Sequence, residues 1–223
     1  RMGWTGDMQV FAKTGAYNMN IKSFIDKWLD DLIDAQTMYN KNGAVPDTAP
    51  LGGDNRIDGC GGCGDAATIV PWEMYETYGD IRILKKCYDM MKKWVEYQSS
   101  TDRRNYGVRT VDGKEVPEQS DLATIPYIQV QQCRGDHLTY DNSTPYIYSA
   151  TAYAAHSADI LRRTAYIFGK TDDEKRYTEL FENIKKEIGN SFSIIEYSNS
   201  YFAAPLHIHP EYAVSYTHLT LPT

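Results

Sequence analysis

Apolar residues recur at three- and four-residue steps along most of this chain, and that spacing predicts helices. Asn20 is expected to cap a run in which Phe24, Ile25, Trp28, Leu29, Leu32 and Ile33 lay one broad apolar face along a helix reaching about Gln36. The segment from Thr5 to about Tyr17 reads as a helix before it. Gly64 to Tyr78 is helical in content but holds Pro71, which has no N–H to give, so a kink or a new first turn is expected there. Asp80 is placed to cap the next helix, whose stripe is Leu84, Cys87, Tyr88, Met91, Trp94 and Val95.

From Ser99 to Ser143 the periodicity disappears and Gly, Pro and Asp become frequent, the pattern of a long functional loop. Thr144-Pro145 then offers an N-cap followed by proline at the first helical position, starting a helix through Ala150, Tyr153, Ala154, Ala158 and Leu161 to a stop at Gly169. Thr171-Asp172-Asp173-Glu174 has the spacing of a capping box and opens a helix with Tyr177, Leu180, Phe181, Ile184 and Ile188 on one face. No strand pattern of comparable length competes, so the fold class is all-α, with short and long connections alternating.

Composition narrows the partners. The 223 residues suffice for one sizeable core, and no linker divides them. With 30 acidic against 23 basic residues the formal net charge is -7, and no block of Lys and Arg breaks it, so no nucleic-acid partner is expected. No stretch approaches the roughly 18 uninterrupted apolar residues that cross a bilayer, and no membrane partner is expected either. The four cysteines are Cys60, Cys63, Cys87 and Cys133. Cys60-Gly61-Gly62-Cys63 has Cys-x-x-Cys spacing but no second pair or His at ligand distance, so no metal is expected. Cys87 falls on an apolar stripe, where a buried thiol is the default. This usage fits a reducing compartment better than a disulfide scaffold, which favours the cytoplasm over the periplasm.

Chemistry gathers at three Gly-Asp corners. Arg1-Met2-Gly3-Trp4-Thr5-Gly6-Asp7 sets an aromatic plate three residues from a carboxylate. Gly64-Asp65 runs into Ala66-Ala67-Thr68-Ile69-Val70-Pro71-Trp72, and Gly135-Asp136-His137 lies in the long loop. A glycine lets backbone approach a ligand, the aspartate accepts from hydroxyls, and a Trp offers an apolar face to a pyranose. The three corners are expected to face one depression. Each has a structural alternative: Asp7 as a first-turn charge on a helix dipole, Trp4 as core, Asp65 as the cap of the helix starting at Ala66, and His137 as a satisfied structural residue. A nucleotide-phosphate loop, a Ser-His-Asp arrangement in motif context and H-E-x-x-H are all missing, so no cofactor is expected. Nor does any EF-hand-like run point to calcium.

Together these segments resemble the catalytic domain of the bacterial α-L-rhamnosidases, glycoside hydrolase family 78. That family carries Arg-(Leu/Met)-Gly-Trp-Thr-Gly-Asp, Gly-Asp-Ala-Ala-(Thr/Val)-Ile-Val-Pro-Trp and a later Gly-Asp-(aromatic)-Leu. Tyr75, Tyr78-Gly79-Asp80, Leu84 and Met91-Lys92-Lys93-Trp94-Val95 continue the similarity over residues 1–192. The resemblance implies roughly half of an (α/α)6 toroid of six hairpins and, for the full-length parent, inverting hydrolysis of terminal α-L-rhamnosyl groups from glycans or glycosides. Arg1, Trp4, Asp7, Asp65, Asp136 and His137 would line the sugar site, with Asp7 as the supporting carboxylate.

In such enzymes the general acid is a Glu directly before the position of Arg1, and the base is a Glu on a later helix. Neither is in this sequence, so the resemblance implies an inactive fragment that works with other domains of the full-length enzyme. Where the family has Trp before Gly64 and after the third Gly-Asp, this chain has Cys63 and His137, which bears on the identity of the sugar. The alternatives are another (α/α)6 glycosidase, fucosidase- or glucosidase-like, and a non-catalytic helical carbohydrate-binding module. Residues 193–213 match no pattern. Residues 214–223 resemble the translation of a transposase-type sequencing adapter and are left out of the fold reading.

Overall fold

The computed structural model describes residues 2–40, 42–51, 59–100, 108–111, 114–117, 126–129 and 146–198, with backbone only for 108–111, 114–117, 146 and 191–198. Its helices are α1 (Thr5–Asn18), α2 (Lys22–Tyr39), α3 (Ala66–Tyr78), α4 (Ile81–Ser99), α5 (Tyr146–Ile167) and α6 (Thr171–Ser198). Two or three residues join α1 to α2, α3 to α4 and α5 to α6, whereas long segments separate the pairs. Such short links fold consecutive helices back on each other, which gives three hairpins and the partial toroid that the resemblance implies.

Burial separates an inner from an outer layer. Ala66 through Pro71 and Met74 of α3 are all buried, so its first two turns are surrounded on every side, while Glu76 and Thr77 near its end are exposed. It packs on α1 and α5 within the inner layer and on α2 and α4 outside it. The outer helices are one-sided. In α4 the whole expected stripe of Leu84, Cys87, Tyr88, Met91, Trp94 and Val95 is buried. In α2, Ile25, Trp28, Leu29 and Leu32 are buried, but Phe24 stays 58% exposed at the edge of the stripe. The inner helix α5 buries Ala150, Ala154 and Ala158 together with the hydroxyls of Thr151 and Thr164, which bond back to Ile147 and Ile160 carbonyls. Small residues let the helices approach, and the back-bonds satisfy the hydroxyls.

Several local expectations shift. The residue ahead of α2 is Ile21 and not Asn20, whose side chain reaches only the Lys22 N–H at 3.3 Å. α3 runs unbroken across Pro71, so no new first turn forms. Asp80 does cap α4, accepting from the Arg82 N–H at 3.1 Å. Thr171 is not the cap of α6 but its first residue, because the Glu174 N–H already bonds the Lys170 carbonyl at 2.9 Å. α5 ends ahead of Gly169, whose φ of +63° makes the expected stop. The long loop contains a small antiparallel hairpin, β1 (Val108–Val111) with β2 (Lys114–Pro117), closed by the pair Val111 and Lys114. Among the described residues no helix is long and apolar enough to cross a membrane.

Candidate active site

The start of α1 is stitched to the segment that follows α2. Thr5 donates its N–H to the Asp47 carbonyl at 2.8 Å, and its hydroxyl reaches the same oxygen at 3.0 Å. Trp4 and Thr48 form an isolated antiparallel bridge, and the Ala49 N–H bonds the Gly3 carbonyl at 2.9 Å. These bonds fix the Trp4-Thr5-Gly6-Asp7 corner before any ligand arrives, which is the preorganisation a binding site requires. Trp4 is half-buried, while Asp7, in the first turn of α1, is exposed.

Both open on one cavity of about 510 Å³. Met8 and Phe11 continue its α1 wall, Phe24, Lys27, Trp28 and Asp31 of α2 form the facing wall, and Ala49 and Pro50 close it. The Trp28 indole N–H is spent on the Ala49 carbonyl at 2.9 Å, so this ring presents its apolar surface. Across from Asp7, Lys27 and Asp31 are paired one helical turn apart, and the hydrogen bond that the Lys27 ammonium donates to Asp31 holds its pKa above the usual range. Aromatic plates with a few carboxylates at the rim suit a ring that has one apolar face and hydroxyls around its edge.

Asp65 is placed differently from expectation. It precedes α3 but makes no side-chain cap, and it is completely buried. Its Oδ1 accepts from the Trp94 indole at 2.9 Å, the Gln98 amide at 2.9 Å and the Ser157 hydroxyl at 2.6 Å, while Oδ2 accepts from the Gly62 N–H at 2.8 Å. Ser157 spends its proton on the carboxylate. Thr68 then has one O–H for two oxygens in reach, Ser157 Oγ at 2.6 Å and the Asp65 carbonyl at 2.9 Å. The Gly6-Asp7 and Gly64-Asp65 corners do lie side by side, since a Cβ on Gly6 would stand 3.3 Å from Cys63 Sγ. Their carboxylates nevertheless part, Asp7 to the surface and Asp65 into the joint of α3, α4 and α5. The expected convergence of three carboxylates thus fails at Asp65, because four protein donors claim it. Arg1, Asp136 and His137 lie outside the described residues.

Sequence reasoning missed the α2 wall of the cavity, although Phe24 and Trp28 stood on the stripe it assigned to the core. It also missed the grouping of Asp47 with Cys60 and Cys63, whose ligand atoms lie within 4.8 Å of one another. Cys87 meets its expectation: buried in α4, its thiol is pushed up to about 12 by loss of solvent. A thiol at that value is ionised to only about one part in ten thousand at pH 8. We expect iodoacetamide at pH 8 to label Cys63, which is partly exposed, and to spare Cys87 until the chain is denatured, as read by peptide mass spectrometry. Labelling of native Cys87 would contradict its burial.

Residues 1–204 match the family described as the bacterial alpha-L-rhamnosidase 6 hairpin glycosidase domain. The chain is 38% identical over 193 residues to an alpha-L-rhamnosidase of Streptomyces avermitilis, covering 86% of this chain and 16% of that protein. It is 33% identical over 196 residues to one of Formosa agariphila, covering 86% and 19%. The crystal structure of the Streptomyces avermitilis alpha-L-rhamnosidase complexed with L-rhamnose superposes with a TM-score of 0.69 at 36% identity, over 85% of this chain and 16% of that one. The chain thus spans less than a fifth of the length of these relatives.

Proposed function

The chain belongs to the bacterial alpha-L-rhamnosidase six-hairpin glycosidase family, and from that premise we propose that it is part of a glycoside hydrolase that removes terminal α-L-rhamnosyl groups from glycans or glycosides with inversion. The observation that carries the reading is the Trp4 to Asp7 corner, held rigid by the Asp47 to Ala49 segment and open to a cavity with aromatic walls. Trp4 supplies the plate on which the apolar face of the sugar rests. Asp7 accepts from sugar hydroxyls, and its charge disfavours ionisation of a neighbouring acid, which suits a proton donor. Arg1, Asp136 and His137 are proposed for the rim.

Inversion requires a carboxylic acid beside the leaving oxygen and a carboxylate base roughly 6.5 to 9.5 Å away, with the attacking water between. The resemblance assigns these to a Glu before the position of Arg1 and a Glu on a later helix. The reaction is therefore proposed for the whole enzyme, and this chain contributes sugar binding and charge.

The test is hydrolysis of aryl α-L-rhamnoside against aryl glucoside and fucoside by the protein with all six hairpins, following the anomer first released by NMR. Turnover of the rhamnoside with an inverted product is expected. Turnover of only another sugar would replace the substrate, a pertinent outcome because Cys63 and His137 stand where the family has Trp. In the same protein, Asp7→Asn is expected to lower kcat about thirtyfold, roughly 2 kcal/mol of transition-state stabilisation, without moving the melting temperature. An unchanged rate would leave Asp7 as a first-turn charge on α1.

A further inference from the structure

No chemical step of the proposed reaction uses the Cys60 or Cys63 thiol, yet the fold brings a third ligand to them. Asp47, thirteen positions before Cys60, arrives from the segment that anchors α1, and its carboxylate and the two thiols lie within 4.8 Å of one another. We propose that Asp47, Cys60 and Cys63 bind a borderline-soft divalent cation, Zn²⁺, with the fourth position left to water. This inference stands apart from the glycosidase reading, because it concerns only the three side chains and the backbone that holds them.

The donor set suits the ion. Zn²⁺ takes thiolate sulfur at about 2.3 Å and carboxylate oxygen at about 2.0 to 2.2 Å, which in a tetrahedron sets neighbouring ligand atoms roughly 3.5 to 3.8 Å apart. The three ligand atoms, within 4.8 Å of one another, stand at most roughly an ångström outside that range. Asp47 and Cys60 are almost fully buried, at 2% and 1% exposure, while partly exposed Cys63 gives the ion its way in. Binding releases two thiol protons, and the two thiolates and the carboxylate leave one net negative charge around the ion.

The framework is already in place. Gly59 N–H bonds the Val45 carbonyl at 2.8 Å, tying the Cys60 turn to the Asp47 segment. Gly64 N–H bonds the Cys60 carbonyl at 2.9 Å, and Thr5 N–H bonds the Asp47 carbonyl. An ion here would clamp the Asp47 segment to the Cys60–Cys63 turn beside the Gly6-Asp7 corner, with Cys63 directly against Gly6. The sequence hid the site because Cys-x-x-Cys lacks a local partner, and only tertiary contact supplies Asp47.

The test uses the whole chain, reduced and freed of metal, titrated with Zn²⁺ in competition with a chromogenic chelator and separately with Co²⁺ by absorption. One ion per chain, a thiolate-to-cobalt charge-transfer band and a raised Tm with Zn²⁺ are expected. Cys63→Ser, at a partly exposed position that tolerates the change, should weaken binding by at least the ~100-fold upper range seen for outer-shell partners. Asp47→Asn should weaken it as well, and Cys133→Ser should leave it intact. No stoichiometric binding by the reduced chain would overturn the proposal. So would equal binding by Cys63→Ser and Asp47→Asn, which would place the ion elsewhere. A Cys60–Cys63 disulfide that forms in air whether or not Zn²⁺ is present would identify a redox pair instead and overturn it equally.

Discussion

Asp65→Ala is expected to cost the fold about 5 kcal/mol, close to the whole stability of a marginal domain. The truncation takes the acceptor from three buried donors, the Trp94 indole, the Gln98 amide and the Ser157 hydroxyl, and from the half-buried Gly62 N–H; Ser157 keeps another oxygen in reach, that of Thr68. Each buried donor left without a partner costs roughly 1 to 3 kcal/mol, and partial relaxation keeps the sum below the maximum. Asp65→Asn makes the discriminating comparison. An amide oriented with its oxygen at the Oδ1 position keeps three of the four acceptances and loses only that from Gly62, where two donors now meet, so about 2 kcal/mol is expected. Urea denaturation of the three chains should rank wild type, Asn and Ala in that order, with Ala far below. If both variants unfold like the wild type and differ only in sugar binding, Asp65 serves the ligand and not the joint of α3, α4 and α5.

That prediction could not have come from the sequence. Gly-Asp before an apolar run reads equally as a helix cap or a sugar contact, and neither option sends the carboxylate inward to residues 29, 33 and 92 positions away. What was legible is what depends on local periodicity. The stripe from Leu84 to Val95 is buried as a unit because a 3.6-residue repeat can present only one face to the core. The alternation of short and long connections held for the same reason, since each amphipathic helix needs a neighbour at once. Ends and short elements were less legible. α6 continues to Ser198, well beyond its last expected apolar position at Ile188, and β1 and β2 are four residues each, too short for alternation to register. Phe24 shows the limit of the stripe rule: its spacing marks it as core, but at the edge of the face it opens to the cavity beside Trp28.

Gly64→Ala is the second severe substitution, expected to cost about 3 kcal/mol. A Cβ on Gly64 would stand 2.4 Å from Cη2 of Trp94 and 2.7 and 2.8 Å from the next two ring atoms. Trp94 is fully buried and cannot swing aside. Its indole N–H holds Asp65, and its ring lies against Tyr97 with centroids 5.6 Å apart. Moving the ring to admit a methyl group therefore breaks the same carboxylate network that Asp65→Ala removes. A double-mutant cycle isolates the contact. In a Trp94→Phe background the smaller ring leaves space, so adding Gly64→Ala should cost less than half of what it costs in the wild type, whereas independent sites would give equal penalties. Additive costs would sink the argument, because the glycine would then be required by its own backbone and not by the indole. If the cycle couples as expected, both letters of this Gly-Asp corner answer to Trp94: glycine admits the ring, and aspartate accepts the hydrogen bond from its indole N–H. The motif that reads as a sugar-site signature then acts through packing, fixing the turn whose other end carries Cys63 against Gly6 and so setting where Asp7 can stand.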